Sequence, residues 1–483
     1  MSVYKKFAKD TGIIGITNII TNLRGLILLP IIAKTLGPSG YGIWAQVMVT
    51  LSLLGPVSVL GLDFTLTRFL AAKTDKKQIQ EDFFSVFITV LCWSSLIALI
   101  LFILANPIAN TIFSDGNATQ IVEITAIIVP AWATNLVFTN FFRAFRQMKT
   151  CSLLAIIQNV GETIVIAFLV LLGFGIFCAL VSLLAVRIFM DVFMFCMIIS
   201  HIGVKLPDFS NIKAYLNFGL PLIPSDLSWW IVNSSDRYII GLFTKTAQVG
   251  IYSAAYSISG IILLFVAPLS FVLPPSLSKL YDESKMTEVK THLAYSLKYF
   301  LMLAIPSAFG LSLLAKPILS TLTTSEFISS GSLVIPFVAV SMVLFGVYTV
   351  FSQILVLIKK TRIFGILWGS SAIANLILNV IFVPVIGILG AAISTLIAFA
   401  VTTAFTVHFS FKYFKFNIDF WFILKSIFAS IVMSLVIIKW SPVGISNILI
   451  EIGVCAVVYT AVLLLLKGIR KEEIAFFKEL FRI

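Results

Sequence analysis

Residues 151–200 read CSLLAIIQNVGETIVIAFLVLLGFGIFCALVSLLAVRIFMDVFMFCMIIS. Two apolar runs flank Gly173-Phe174-Gly175. Each is long enough for the roughly 20 residues that a membrane-crossing helix needs. So tight a connection predicts two antiparallel helices lying side by side. The only charges in this stretch are Glu162, Arg187 and Asp191. At a rise of roughly 1.5 Å per residue, Glu162 and Arg187 each lie roughly 18–20 Å deep, so they can meet. Asp191 follows Arg187 by one helical turn.

The rest of the chain has the same character. Of its 483 residues 59% are hydrophobic and 11% are charged, whereas a soluble domain carries about 25% charge. A bilayer can host that much apolar surface, and water cannot. Apolar runs predict an all-α polytopic membrane protein of about 14 transmembrane helices. They fall at 11–33, 42–66, 83–104, 119–141, 150–172, 176–200, 215–235, 247–271, 293–315, 331–357, 362–384, 388–410, 420–439 and 447–466. The first run is read as a membrane anchor rather than a cleaved leader. The five cysteines sit in apolar stretches without ligand-like spacing, so no metal and no cofactor are expected.

The net charge of +13 does not point to nucleic acid, because its placement is that of a membrane protein. Lys5, Lys6 and Lys9, then Lys73, Lys76 and Lys77, then Arg143, Arg146 and Lys149 fall on one side of the alternation. Lys279, Lys285 and Lys290, then Lys359, Lys360 and Arg362, and later the basic C-terminal segment, fall there too. The other side holds only Lys34, Arg237, Lys245, Lys316 and Lys439. Basic loops stay inside, so both termini are expected in the cytoplasm and the protein in the cytoplasmic membrane. Ile474, Phe477 and Phe481 share one helical face of the tail. That tail is read either as lying on the membrane surface or as a solvated end.

The chain also repeats itself. Gly42-Ile43-Trp44 returns as Gly250-Ile251-Tyr252, and Leu104-Ala105-Asn106-Pro107-Ile108 as Leu314-Ala315-Lys316-Pro317-Ile318. Lys149-Thr150 matches Lys360-Thr361, and Gly175-Ile176 matches Gly387-Ile388. The four offsets run from 208 to 212 residues. Six spans separate the copies, so both have one orientation and are related by an axis along the membrane normal. The expected organisation is an N-terminal lobe at 1–205, a C-terminal lobe at 206–412, and two extra spans with the amphipathic tail at 413–483.

Polar residues inside a membrane are costly and mark function unless packing explains them. They gather in spans 1, 2, 7 and 8. Asn18, Asn22 and Arg24 lie in the first, Gln46 in the second, Asp226 and Trp229 in the seventh, and Tyr252 and Tyr256 in the eighth. These are the candidate cavity residues. Arg24 has no carboxylate near it in its own span and is read as a free guanidinium suited to gripping a phosphate. Glu162, Arg187 and Asp191 form a candidate ion network, either neutralising itself or serving coupling. A proton or sodium is the candidate coupling ion.

Leu36-Gly37-Pro38-Ser39-Gly40-Tyr41-Gly42-Ile43-Trp44 resembles the hallmark of the Wzx-type polysaccharide-unit flippases of the MATE-like MOP superfamily. Asp236-Arg237-Tyr238-Ile239-Ile240-Gly241, followed by Val249 to Tyr256, is similar to the matching region of their second lobe. The resemblance covers essentially the whole chain. It implies two six-helix lobes around a cavity opened alternately to either side. Its cargo would be an oligosaccharide on a polyprenyl (pyro)phosphate, bound for surface polysaccharide synthesis. Sugar and phosphate would cross in the cavity while the lipid tail stays among membrane lipids. Partners would be that substrate and the polysaccharide biosynthesis machinery. Two other readings stand beside it. A MATE-like drug or cation antiporter would want deep carboxylates. A membrane polymerase or ligase would be an enzyme with a large external loop, which this chain lacks.

Overall fold

The structure, a computed structural model, describes residues 3–71, 73–113, 118–360, 362–440, 442 and 444–469; the side chains of residues 3–14, 16, 18, 19, 22, 271 and 362 fall outside that description. The proposed amphipathic face at Ile474, Phe477 and Phe481 therefore lies outside the described residues.

Helices follow one another with short connections. They are α1 (Val3–Val59), α2 (Leu62–Leu70), α3 (Lys76–Ile103), α4 (Ala105–Ile112), α5 (Thr119–Ala144), α6 (Met148–Leu171) and α7 (Gly175–Ile202). Then come α8 (Ile212–Gly219), α9 (Ile223–Phe243), α10 (Thr246–Ser259), α11 (Leu263–Asp282), α12 (Met286–Leu313) and α13 (Ala315–Leu322). The last are α14 (Ile328–Leu357), α15 (Arg362–Ile386), α16 (Ile388–Tyr413), α17 (Phe420–Lys439) and α18 (Ile445–Leu465). Caps set several starts. Asp75 accepts from Lys77 N at 3.0 Å ahead of α3, and Asp419 accepts from Phe422 N at 2.9 Å ahead of α17. Gly173 (φ 84°) and Gly175 (φ 76°) make the turn between α6 and α7 in the left-handed region that side chains avoid.

Twelve of the described helices are long and apolar enough to cross a membrane, so the chain is a multi-pass membrane protein. Fourteen spans were expected, and the difference lies in two places. The apolar stretch Leu23–Val59 counts once, although α1 is two helices broken at Gly37 (φ 67°, ψ −171°). A single glycine does what the sequence suggested an eight-residue connection would do. The other place is α9, whose 21 residues hold Asp226, Asp236 and Arg237. Three charges within so short a helix leave it outside the twelve.

By contacts the chain groups into two units, one of Met1–Ser253 with Trp368–Ala391, the other of Ala254–Leu367 with Ala392–Ile483. In the first, α1 packs along α6, α3 against α5, and α7 against both α5 and α6. Phe83, Phe87, Phe138 and Phe141 interlock there, with Phe83 and Phe141 centroids 5.1 Å apart at 68°. Within lipid such packing is favoured by contact rather than by escape from water. In the second unit, α12 packs against α14 and α17, and α17 against α18. Large apolar side chains such as Ile103, Phe168, Phe189 and Trp421 remain exposed, as lipid-facing positions require.

Candidate functional site

Three helices of the first unit bring charge together inside an apolar bundle. Arg24 comes from α1, Glu162 from α6 and Arg187 from α7. Glu162 has no exposed surface. Its Oε2 accepts from Arg24 Nη1, and its Oε1 lies 3.2 Å from Arg187 Nε. Gln158, one turn earlier on α6, donates to Oε1 at 3.1 Å. The Arg187 guanidinium lies over the Trp132 ring of α5, 3.8 Å from its centre. A planar, weakly hydrated cation suits that face. Asp191 turns toward α5, where Thr134 Oγ1 and Asn135 Nδ2 each donate to it at 2.7 Å. Asn135 also donates to Gln158 Oε1 at 3.0 Å, which joins the two halves of the layer. Two cations and two carboxylates are thus linked through neutral amides. Such linkage is what makes buried ions tolerable, and both carboxylates are hydrogen-bonded here, although Arg187 Nε, beside Glu162, has no hydrogen-bond partner among the described residues.

The structure therefore brings Glu162 and Arg187 together and links Asp191 to them through Asn135 and Gln158. It corrects the reading of Arg24. Expected to be free of carboxylates, Arg24 is paired with Glu162, because α1 and α6 run alongside each other and bring both groups to one depth. One guanidinium nitrogen, Nη2, is buried without a hydrogen-bond partner among the described residues. The side chains of Asn18 and Asn22 lie outside the described residues.

A second polar seam lies where α1 beyond Gly37 meets α9 and the start of α10, and it takes in Gln46 and Tyr252. Gln46 and Tyr252 were expected to line a wet cavity, yet neither has exposed surface. Each is consumed by a bond within the protein: Gln46 Nε2 donates to Ile112 O at 3.1 Å, and Tyr252 Oη donates to Asp236 Oδ2. Thr50 and Tyr238 share a hydrogen bond of 2.6 Å, and Trp230 Nε1 donates to Ser52 Oγ at 3.0 Å. Asp226 and Tyr256 are partly buried, and Trp229 is exposed.

Arg237 is a further correction. Counted above as a loop charge, it lies buried inside α9, with Nη1 2.7 Å from Asp236 Oδ1 and 2.6 Å from Asn233 O. Removing it from the sparse side of the charge count strengthens the asymmetry. Sequence reasoning missed Asp236 as an ion-pair member. The signal was present, since adjacent opposite charges in a membrane-length helix point inward. It also missed Thr134, Asn135, Gln158 and Trp132, which carry no signal without knowing which helices touch.

A third cluster lies at the start of α3. Asp82, 1% exposed, pairs with Lys73 and accepts from Tyr215 Oη at 2.6 Å and from Asn211 Nδ2 at 3.1 Å. It thereby ties α8 and the residue before it to the start of α3. Nearby, Asp208 accepts from Ser210 N and Oγ, both at 3.0 Å, and these bonds hold its carboxyl below the usual range. The second unit holds something different: a half-open apolar groove of about 590 Å³ along α11, α12, α13, α17 and α18, lined among others by Phe265, Met302, Leu311, Met433 and Ile448.

Comparison with known proteins places this architecture. The sequence pattern of the family described as "Polysaccharide biosynthesis protein" matches residues 7–281, more than half of the chain, and the pattern described as "MatE" matches residues 221–381. The probable low-salt glycan biosynthesis flippase Agl15 of Haloferax volcanii is 26% identical over 285 residues, 58% of this chain and 60% of that protein. The chain thus covers less than two thirds of that relative's length. The lipid III flippase of Escherichia coli is 25% identical over 311 residues, 63% of this chain and 74% of the relative. Among solved structures, lipid II flippase MurJ in its inward closed conformation superposes with a TM-score of 0.78 at 19% identity, over 97% of this chain and 99% of that one. At that identity the likeness shows the fold.

Proposed function

The chain belongs to the polysaccharide biosynthesis protein family, and from that membership we propose that it is a flippase for a lipid-linked oligosaccharide, working by alternating access. The observation that carries this reading is the reach of the family pattern. Residues 7–281 include every member of the buried charged layer and of the α1/α9/α10 seam. The relatives named above are a probable low-salt glycan biosynthesis flippase and a lipid III flippase, which supports a cargo of related chemistry. A sugar on a polyprenyl (pyro)phosphate needs a polar path for its head and leaves its tail in lipid. The two lobes of the duplication, 1–205 and 206–412, would move against each other, with 413–483 as an appendix. We place the protein in the cytoplasmic membrane with both termini inside, on the asymmetry of its basic loops. The polysaccharide biosynthesis machinery would supply the cargo.

One finding keeps a second reading in view: the MatE pattern over 221–381 suits an antiporter. Against it, Glu162 and Asp236 each already hold an arginine, so neither stands ready for a transported cation. Deletion of the gene separates the readings. A flippase leaves its lipid-linked oligosaccharide facing the cytoplasm and depletes a surface glycan. Unchanged glycans with new sensitivity to cationic drugs would favour the antiporter. Reporter fusions after Lys76 and Lys285 should read cytoplasmic, and those after Thr324 and Ser446 external; an inversion would overturn the orientation.

A further inference from the structure

We propose that Gly42 and Gly250, equivalent positions in the duplicated sequence, form a two-fold gate contact on the face opposite the N-terminus, and that this contact parts during transport. The proposal deepens the flippase reading and rests on it for the word transport.

A methyl group built on Gly42 would lie 2.1 Å from Thr246 O, and one built on Gly250 would lie 2.0 Å from Pro38 O. Carbon does not approach oxygen so closely, and both obstacles are backbone, which cannot swing aside. Each position therefore requires glycine for this packing. The arrangement is also reciprocal. Gly42 meets the carbonyl four residues before Gly250, and Gly250 meets the carbonyl four residues before Gly42. The offset of 208 that relates the glycines also relates Pro38 to Thr246. A contact in which i meets j and j meets i is the signature of a two-fold axis passing between them. The backbone itself completes the fit, since a methyl on Gly250 would be 2.9 Å from Gly42 N.

The seal continues around this point. A methyl on Gly241 would strike Gln46 Nε2 at 2.5 Å and Ile112 O at 2.7 Å, and Thr246 Oγ1 donates to Phe113 O. Gln46, one turn deeper than Gly42, is wholly buried. These contacts join first-repeat residues to second-repeat residues, and the glycine–carbonyl contacts themselves carry no interlocking side chain; the hydrogen bonds of Thr246 to Phe113, Thr50 to Tyr238 and Trp230 to Ser52 would have to part with them. Relative movement of the repeats would open the whole set together.

The test uses the full chain in membrane vesicles, with a cysteine at Gln46 as the probe and a membrane-impermeant maleimide added on the face opposite the N-terminus. Gln46→Cys alone should label slowly. Adding Gly42→Ala or Gly250→Ala should raise the rate by roughly tenfold, an opening shift of about 1.4 kcal/mol. The two should act alike, and the double variant should gain little over either, because both break one contact. Gly453→Ala, where added carbon meets nothing within 4 Å, should change nothing. Unchanged labelling in well-inserted variants would overturn the proposal. So would loss of thermal stability and membrane abundance without a gain in labelling, which would mark the contact as static packing. Raised labelling in a protein whose deletion leaves lipid-linked sugars untouched would keep the gate and sink the flippase reading instead.

Discussion

Arg24 of α1 donates Nη1–H to Oε2 of Glu162 in α6, 138 residues away in sequence. That bond changes what substitution of Arg24 should do. Its removal leaves Glu162 with Arg187 and Gln158 as its remaining partners. Breaking a buried ion pair costs about 3–5 kcal/mol. Arg24 keeps 14% of its side chain exposed, so its loss should fall toward the low end of that range. Arg24→Ala and Arg187→Ala should both lower the melting temperature in detergent. Arg24→Ala combined with Glu162→Gln should lose less than the two single losses added together, since the double change removes a cation with its anion. Normal abundance and melting of Arg24→Ala with transport abolished would instead make Arg24 a cargo group with no role in stability.

Tyr252 and Arg237 hold opposite oxygens of one buried carboxylate. Tyr252→Phe leaves Asp236 Oδ2 without its donor while Arg237 stays on Oδ1. A buried hydrogen bond to a charged group contributes about 1.5–3 kcal/mol, which sets the expected loss. Arg237→Ala should cost more, because it also removes the donor to Asn233 O and the cation 5.2 Å from the Tyr252 ring centre. Thermal unfolding of the two variants and of their combination gives the comparison, and Tyr252→Phe melting below Arg237→Ala would contradict it.

Much of this was readable in advance, for definite reasons. Apolar runs mark membrane helices because length and composition alone decide what can cross. The contact of Glu162 with Arg187 was readable because Gly173-Phe174-Gly175 forces α6 and α7 side by side and depth along each helix is countable. The bond from Arg24 was not readable, because nothing local says that α1 lies along α6. Periodicity gives the face of a helix but not its neighbour. Arg237 misled for a related reason. A charge near the end of a polar span looks like a loop residue until its partner, the adjacent Asp236, is seen to be buried with it. Gly37 misled by brevity, since one left-handed residue serves where polar sequence suggested a longer loop.

The Asp82 cluster should fasten α8 and the segment before it to the start of α3. Its carboxylate is almost fully buried and carries three donors: Lys73, Tyr215 Oη and Asn211 Nδ2. Lys205 adds a neighbouring pair with Glu81, and Gln80 donates to Ile202 O at the end of α7. Asp82→Asn keeps the shape but replaces one acceptor oxygen by a donor that faces donors, and it leaves Lys73 without its anion. Lys73 is 21% exposed and can turn to solvent, so the ion-pair part of the loss is discounted. What remains is unsatisfied hydrogen-bonding capacity in a closed site, about 1–3 kcal/mol. Tyr215→Phe removes one of the three donors and leaves the carboxylate paired, so it should cost less than Asp82→Asn. The structural consequence is local. Amide hydrogen exchange across residues 203–215 should quicken in Asp82→Asn, with less change in α6 and α7. Equal exchange in both variants and the parent, at unchanged melting temperature, would show that the linker is held by its apolar contacts and that Asp82 is not its latch.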